Sequence, residues 1–317
     1  MINSIGISKI AHDLVTEVLG DEYLIVGTKS GCNNRVLFLT SQSDSRIYVL
    51  KEASARSRLS MEAGMLEIVA GGPLATPRAY SNSNVLLTEY VEGYLLGDDS
   101  TLLAPPNLPR VARAISLLHA HYVRRTTAPL QMFLRVITPP FFEPDVCTLF
   151  NRLYAPDSIP TGPDLWTCVC HNDLHSGNII FTHNGTAKFI DWEYASIGYN
   201  LFDVACLFFE VPGVSCDLSF FPSVETRRSF YREYYQSACA SMDLDLADLD
   251  LDLVDIHCLY FIPLVAGYWA HWSLGREGFE TYTATRRLVA YEGVKYLAGE
   301  GKLTDALKKV GFSQFDH

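Results

Sequence analysis

A cluster of carboxylates, amides and imidazoles lies near the middle of this 317-residue chain. It begins with His171-Asn-Asp173-Leu-His-Ser-Gly-Asn178 and ends, after two short apolar runs, with Asp191-Trp-Glu193. Asn178 follows Asp173 by five positions, and Asp191 follows it by eighteen. Phosphoryl transfer needs a group that orients and deprotonates the acceptor hydroxyl, and oxygen ligands for a magnesium ion that bridges the phosphates. We expect Asp173 to take the first role, and Asn178, Asp191 and Glu193 to hold Mg²⁺.

Alternating apolar residues and turn-rich segments dominate the chain before this cluster. They predict strands at 23–26, 35–40, 46–51 and 85–91, with one helix at 58–69. A Glu-Gly pair closes the last of these strands. The sequence therefore predicts a small first lobe, residues 1–92.

The rest of the chain, residues 93–317, has mainly helical periodicity. Helices are predicted at 108–123, 202–210, 226–240, 254–275 and 282–298, and strands flank the polar cluster at 167–170, 178–182 and 187–190. Residues 256–275 carry no formal charge and are long enough to span a bilayer. They contain His257, Pro263 and His271 and have no basic cluster at either end, so we expect a buried helix and no membrane span.

Composition and net charge argue against some classes of partner. The formal net charge is −11 and the isoelectric point is about 5.2, which disfavours nucleic acids and anionic membrane surfaces. Residues 1–14 have no basic region followed by an apolar stretch, so no secretory signal is expected. The eight cysteines lie mostly among apolar neighbours without the spacing of a zinc site, which favours a reducing, cytoplasmic compartment.

The polar cluster resembles the active-site motifs of the protein-kinase-like superfamily. His171 to Asn178, followed by Asp191-Trp-Glu193, resembles both aminoglycoside phosphotransferases and choline/ethanolamine kinases. The longer run from Phe189 to Glu210 resembles the choline/ethanolamine kinases most. The resemblance implies an α+β, two-lobed protein-kinase-like fold, in which an N-terminal antiparallel sheet with one helix precedes a larger helical lobe. It also implies that ATP and Mg²⁺ bind in the cleft between the lobes.

The resemblance extends to residues before the cluster. Lys51 lies where the lysine that contacts the ATP phosphates belongs, and Glu62 lies where its ion-pair partner belongs. Glu89 to Val91 takes the position of the hinge that meets the adenine edge. Gly31 and Asn34 belong to the segment at the position of the phosphate loop, which lacks the glycine-rich pattern of protein kinases.

Downstream, the resemblance bears on the acceptor. Trp269 and Trp272 resemble the Trp-x-x-Trp helix of choline kinases, and their spacing places both indoles on one helix face. A quaternary ammonium has no N–H donor, so aromatic faces must hold it. By family position, Tyr194, Glu210 and Tyr282 complete such a site. The alternative for the two tryptophans is plain core packing.

These features together favour phosphorylation of choline, with ethanolamine as the close alternative. An aminoglycoside or other hydroxyl phosphotransferase is a second hypothesis, although a polyamine substrate favours acidic over aromatic surroundings. A non-catalytic kinase-like binding protein is a third; the presence of Lys51, Asp173, Asn178 and Asp191 counts against it. The oligomeric state stays open between monomer and homodimer.

Four further polar residues are expected to have structural roles and not catalytic ones. Asp203 is expected to cap a helix or to support the catalytic loop, because Asp is preferred at helix starts. His171 is expected to brace that loop, since phosphoryl transfer needs no imidazole base. His119 and His271 are expected in the core or at its rim.

Overall fold

The structure, a computed structural model, describes residues 6–20, 22–30, 34–54, 57–72, 78–82, 84–124, 126, 129–242, 245, 247 and 249–301. The elements of the first part are α1 (Lys9–Leu19), β1 (Tyr23–Ser30), β2 (Asn34–Ser41), β3 (Ile47–Ala53), α2 (Leu59–Val69), β4 (Ala79–Asn82), β5 (Val85–Glu89) and β6 (Tyr94–Leu95). They are followed by α3 (Leu108–His121), α4 (Gln131–Leu134), α5 (Pro144–Leu153), β7 (Thr167–Cys170), β8 (Ile179–Phe181), β9 (Ala187–Phe189) and β10 (Ser196–Tyr199). The last helices are α6 (Asn200–Glu210), α7 (Val224–Met242), α8 (Leu251–Tyr260), α9 (Ile262–Ser273) and α10 (Glu280–Leu297).

By internal contacts the chain divides into two compact units. The first unit consists of residues 1–94 and 180–195, and the second of residues 95–179 and 196–317. The segment 180–195 therefore groups with the N-terminal residues, whereas the sequence-based division placed it in the C-terminal lobe. The division at 92/93 into a nucleotide-binding and a catalytic lobe stays a prediction.

The first unit is built on an antiparallel sheet with the strand order β1-β2-β3-β5-β4. Alternation along β3 decides what each face carries. Tyr48 and Leu50 are buried in the core that α1 covers, together with Leu37 and Leu39 of β2. Lys51 points to the opposite face. The predicted strands of this sheet are confirmed, and β4 is an addition to them.

Helix α1 was not predicted, so the expectation of one helix in the first lobe was wrong. The Oγ of Ser8 accepts a hydrogen bond from the Ala11 amide and caps the helix. The buried face carries Ala11, Leu14, Val15 and Leu19, at the spacing of an amphipathic helix. Both signals are present in the sequence.

The second unit is mainly helical, as predicted, but residues 254–275 form two helices instead of one. Helix α8 ends at Tyr260 and α9 begins at Ile262, with Pro263 in its first turn. Proline has no N–H and its ring clashes with the preceding turn, so it is tolerated at a helix start and interrupts a longer helix. Among the described residues, Leu251–Ser273 alone is long and apolar enough to cross a membrane, and 83% of its apolar window is buried within the protein, as in a core helix.

The alternating Asp and Leu residues before α8 lie partly outside the described residues. Within them, the carboxylate of Asp250 accepts hydrogen bonds from the amides of Asp252 and Leu253 and caps α8. A carboxylate at this position accepts from the unpaired amides of the first turn and favours the N-terminal end of the helix. The other predicted helices and strands are present with small shifts at their ends, while α4, α5, β6 and β10 were not predicted.

The turn after β5 provides a test of the packing in the first unit. Gly93 has φ +150°, and a Cβ there would lie 2.5 Å from both Ile180 Cγ2 and the Phe181 carbonyl oxygen. We expect Gly93→Ala to lower the free energy of unfolding by roughly 2–4 kcal/mol, since the side chain meets backbone and is strained by the positive φ. Urea denaturation measures the change.

Gly97→Ala is the matched control, because a Cβ at Gly97 meets nothing within 4 Å. The free energy of unfolding of this variant should stay within about 0.5 kcal/mol of the wild-type value. Equal stabilities for the two variants would contradict the close packing at Gly93.

Candidate active site

The first unit holds Lys51 between two carboxylates. Its Nζ lies 2.6 Å from Glu62 Oε1 and 3.0 Å from Asp191 Oδ1. Glu62 comes from the buried face of α2, and Asp191 follows β9 directly. The structure therefore brings together three residues that the sequence predicted to act with the nucleotide and the metal.

Charge compensation keeps this lysine protonated. Burial disfavours the charged form of Lys51, but Glu62 and Asp191 outweigh that effect and raise its pKa. Burial of the Glu62 carboxyl raises its pKa to about 7, against the opposing effect of Lys51. The Trp192 amide also donates to Glu62 Oε1, at 3.4 Å. The result is an ammonium group that is held in one position by anionic partners.

Asp191 has a left-handed backbone, with φ 65° and ψ 64°. A non-glycine residue in this region costs free energy and is found most often at functional sites. The turn from Trp192 to Tyr194 follows at once, and the buried Trp192 donates through Nε1 to the Phe189 carbonyl. Glu193 is buried in the same turn. Packing of this turn keeps the Asp191 carboxylate directed at Lys51.

In the second unit, Asp173 and Asn178 are hydrogen-bonded to each other. Nδ2 of Asn178 donates to the Asp173 carbonyl at 2.9 Å and to Asp173 Oδ2 at 3.0 Å. The Asn178 amide N–H donates to the His175 carbonyl and closes the loop. Since its nitrogen is used in this way, the Asn178 side chain has its carbonyl oxygen left to accept a proton donor or a cation.

The buried carboxylate of Asp203 holds the segment before Asp173. Its Oδ2 accepts from the His171 amide at 2.7 Å, and its Oδ1 accepts from the Asn172 amide at 2.6 Å. Asn172 has a left-handed φ of 66°, so these bonds stabilise a strained turn. Of the two interpretations of Asp203, support of the loop is correct: Tyr199 is the residue that precedes α6. His171 is buried, and its Nδ1 accepts from the Asp173 amide at 3.3 Å, as expected of a brace.

His119 completes this network from α3 and is fully buried, as predicted. Its Nε2 lies 3.0 Å from Asp203 Oδ2 and its Nδ1 lies 2.8 Å from the Tyr234 hydroxyl. Burial disfavours the imidazolium, but the hydrogen bond to Asp203 outweighs it and raises the pKa of His119 to about 9. The thiols of Cys168 and Cys170 lie close by, within 4.8 Å of a ring nitrogen and of each other. Both ring nitrogens are hydrogen-bonded, so the imidazole has no lone pair for a metal.

A second buried ion pair joins α6 to α10. Oε1 of Glu210 lies 2.9 Å from Nη1 of Arg286 and accepts a hydrogen bond from the Tyr282 hydroxyl at 3.2 Å. Arg286 is fully buried and also donates to the Phe209 carbonyl at 2.9 Å. Burial raises the pKa of Glu210, and the guanidinium counteracts this. Glu210 and Tyr282, two predicted acceptor residues, are thus in contact.

The two predicted tryptophans belong to a continuous aromatic row, which consists of Trp269, Trp272, Phe279 and Tyr282. Successive ring centroids are 5.5, 5.5 and 5.6 Å apart, and each pair meets edge to face. Trp269 is buried, while Trp272 is partly exposed. We call this row together with Glu210 the acceptor cluster.

Sequence reasoning missed three members of this neighbourhood. Phe279 bridges the predicted rings, Arg276 lies over Trp272, and Arg286 lies over Tyr282. The signal for Arg286 was available, because it follows Tyr282 by four positions on one helix, whereas Arg276 lies beyond the end of α9. The signal for Phe279 was weaker, since a turn separates it from Trp272.

The remaining predicted residues occupy separate places. Glu89 ends β5 and Val91 is buried just after it, and their role as a hinge stays a prediction. Asn34 begins β2, and its buried Oδ1 has no hydrogen-bond partner among the described residues. Gly31 lies outside the described residues. Tyr194 belongs to the first unit, where Arg58 lies 5.0 Å above its ring, so its assignment to the acceptor stays a prediction.

The second unit also contains an open cavity of about 810 Å³. It is lined by the segment 138–141, by the end of α9 with His271, by the connection that contains Arg276, and by the start of α10 with Arg287. His271 is therefore a rim residue, as expected. No member of the acceptor cluster lines this cavity.

Comparison with known proteins identifies the class. A family model described as phosphotransferase enzyme family matches residues 25–220, more than half of the chain. The chain therefore belongs to the phosphotransferase enzyme family. A second family model, choline/ethanolamine kinase, matches residues 166–297. The resemblance drawn from the motifs is confirmed.

Two relatives show how far the sequence similarity reaches. An ethanolamine kinase of Drosophila melanogaster is 28% identical over 226 residues, which cover 62% of this chain and 42% of the relative. Ethanolamine kinase 1 of Homo sapiens is 25% identical over 233 residues, which cover 65% and 50%. The chain thus spans about half the length of these relatives.

Solved structures with the same fold cover most of the chain. A Plasmodium vivax ethanolamine kinase has a TM-score of 0.64 at 19% identity and covers 89% of this chain and 86% of its own. The choline kinase LicA from Streptococcus pneumoniae has a TM-score of 0.62 at 20% identity, with coverages of 91% and 98%. The predicted α+β, protein-kinase-like fold class is confirmed.

The His119–Asp203 pair makes stability depend on pH. Because the pKa of His119 rises from 6.5 to about 9 on folding, its contribution is complete below pH 6.5 and is lost as the pH rises through 9. We expect the wild-type protein to lose roughly 3 kcal/mol of unfolding free energy over this interval that His119→Gln does not lose. Urea denaturation at pH 6 and pH 9.5 measures the difference.

His121→Gln is the control, since His121 lies on the same helix and is exposed. This variant should keep the wild-type pH dependence. Parallel stability curves for His119→Gln and the wild type would show that the imidazole does not carry the charge.

Proposed function

We propose that this protein transfers the γ-phosphoryl group of ATP to the hydroxyl of a small cationic amino alcohol. The observation that carries the proposal is the position of Lys51 between Glu62 and Asp191, at 2.6 and 3.0 Å. A buried lysine that is ion-paired to a helix glutamate is the arrangement that protein-kinase-like enzymes use to hold ATP phosphates. Membership of the phosphotransferase family supports the same reaction.

Each side chain has one task in this proposal. Lys51 neutralises phosphate charge, and Glu62 keeps the ammonium in place. Glu89 to Val91 meets the adenine edge, while Gly31 and Asn34 belong to the segment that covers the phosphates. A solved LicA structure contains AMP, which supports nucleotide binding by this fold.

Asp173 accepts the proton of the acceptor hydroxyl and orients its oxygen toward the γ-phosphorus. Its carboxylate is positioned by Asn178 Nδ2 at 3.0 Å, and its backbone by the turn that Asp203 holds. A carboxylate fixed by hydrogen bonds needs little rearrangement when the hydroxyl arrives. The phosphorus–oxygen bond to the acceptor forms, the bond to the β-phosphate oxygen breaks, and ADP leaves.

The residues fit a magnesium ion by the chemistry of their donor atoms. Asp191 and Glu193 supply carboxylate oxygens, and Asn178 supplies an amide oxygen because its nitrogen is already bonded to Asp173. Hard oxygen ligands are those that Mg²⁺ prefers. When bound, the ion would neutralise negative charge on the phosphate oxygens.

The chemical identity of the acceptor substrate is proposed from the residues of the acceptor cluster and from the names of the relatives. The cluster combines one carboxylate with aromatic rings, which suits a small organic cation. The sequence favoured choline, whereas the two relatives described above are named ethanolamine kinases, and the solved neighbours include kinases of both names. The proposal therefore covers both amino alcohols at this level.

Asp173→Asn tests the proposed base. We expect turnover to fall by at least about a hundredfold, because the amide cannot take the proton, while ATP affinity changes little. Coupled ADP release with ethanolamine and with choline measures turnover, and calorimetry measures nucleotide binding. Asp157→Asn, an exposed carboxylate, is the control. Turnover by Asp173→Asn within about tenfold of the wild type, a barrier change of roughly 1.4 kcal/mol, refutes the assignment.

Lys51→Met tests the nucleotide side. The loss of the ammonium should lower kcat/KM for ATP by about a hundredfold or more, through weaker phosphate binding in the ground and transition states. Lys9→Met, an exposed lysine of α1, should leave kcat/KM unchanged. The same assay run with an aminoglycoside distinguishes an amino-alcohol kinase from an aminoglycoside phosphotransferase. Absence of magnesium-dependent ADP release with every acceptor favours a non-catalytic binding protein.

A further inference from the structure

Two arginines of this chain already occupy ring faces of the acceptor cluster. The guanidinium carbon of Arg276 lies 3.8 Å from the ring centroid of Trp272, and that of Arg286 lies 4.0 Å from the centroid of Tyr282. Arg276 is fixed further by its Nε, which donates to the Trp272 carbonyl at 3.0 Å. Both contacts have the geometry of a cation–π interaction, which is the interaction that holds a quaternary ammonium.

These guanidinium groups work against a substrate that needs the same faces. A quaternary ammonium has no N–H, so it gains only from aromatic faces and from long-range attraction to a carboxylate. At Trp272 and Tyr282 it has to displace a cation from one face or bind the ring beside a like charge. Both alternatives weaken binding at these rings.

The carboxylate of Glu210 offers the complementary feature. Its Oε1 is used by Arg286 and by the Tyr282 hydroxyl. Within the described ranges, Oε2 receives no hydrogen bond, and the side chain retains 10% exposure. A primary ammonium has three N–H donors and can bind Oε2 directly, and a charge-assisted hydrogen bond of this kind is stronger than a neutral one.

We propose that Arg276 and Arg286 make the acceptor cluster selective for a primary ammonium held by Glu210 Oε2 over a quaternary ammonium held by ring faces. This inference rests on the proposed function, since it concerns the acceptor of the same reaction. Arg286 acts as a positioning residue, because it binds Oε1 of Glu210 and so directs Oε2 toward the substrate. Arg276 acts as a selectivity residue through Trp272.

The wild-type experiment compares ethanolamine with its mono-, di- and trimethylated forms, the last of which is choline. We expect kcat/KM to fall with each methyl group, and choline to be at least about tenfold less efficient than ethanolamine. Calorimetric binding of the same four compounds to the full chain gives the order independently of turnover. Choline that binds as tightly as ethanolamine overturns the inference.

Arg276→Met is the decisive variant, because Arg276 is only partly buried and Met keeps the length of its stem. Removal of the guanidinium uncovers a face of Trp272, so the ratio of choline to ethanolamine efficiency should rise about tenfold. Tryptophan fluorescence should also respond more strongly to choline in this variant than in the wild type. Thermal unfolding confirms that the variant is folded.

Arg287→Met is the matched control. Arg287, on α10, lines the same open cavity as Arg276 and also lies over a ring, at 5.3 Å from the centroid of Phe141, but Phe141 is not part of the acceptor cluster. Its substitution should leave the choline to ethanolamine ratio unchanged. An unchanged ratio in Arg276→Met, or an equal change in both variants, overturns the role of Arg276.

The two proposals fail differently. Absence of phosphorylation of all four compounds refutes the proposed function, and the binding series then still decides the selectivity. Phosphorylation of all four with equal efficiency, or with choline preferred, upholds the function and refutes the selectivity.

Discussion

Burial of charge is the constraint on which the polar groups within each unit depend. A phosphoryl-transfer site needs cations and carboxylates in fixed positions, and an isolated ion inside a protein costs several kcal/mol. Three charges of the candidate site have such partners: Lys51 has Glu62 and Asp191, His119 has Asp203, and Arg286 has Glu210. Loss of one partner therefore leaves an uncompensated ion, which destabilises a protein more than loss of the whole pair.

The same pairs connect segments that are far apart in the chain. Lys51 and Asp191 are separated by 140 positions, and His119 and Asp203 by 84. Asp191 has a left-handed backbone, and so does Asn172, whose amide donates to Asp203. Both conformations cost free energy. Strain at a functional residue persists only where the surroundings determine it strongly, and the buried hydrogen bonds at these turns meet that condition. Positioning of the polar groups and stability of the units thus have a common origin.

Contacts between distant segments also limit what could be predicted from the sequence. Lys51, Glu62 and Asp191 were predicted to act together because motif order places them, and the structure brings them together. Support of the loop by Asp203 was one of two predicted roles, but its contact with His119 was not predicted, because it arises only through tertiary packing, for which no local pattern exists. Helix α1 shows the opposite case, since its cap and its helical periodicity are both local features of the sequence. Local signals were sufficient for most elements, whereas side-chain partners depended on contacts between distant segments.

The acceptor cluster shows how a requirement of stability can decide selectivity. Glu210 is useful to a cationic substrate only if it is ionised, and burial by itself would favour the neutral acid. Arg286 counteracts this effect of burial, but the same guanidinium also lies against Tyr282 and takes one of its faces. The means of retaining a buried carboxylate therefore reduces the aromatic surface that a quaternary ammonium needs. In the selectivity that we propose, Arg276 extends this effect to Trp272, and hydrogen bonding becomes the stronger basis for recognition in a site that its aromatic residues alone would assign to choline.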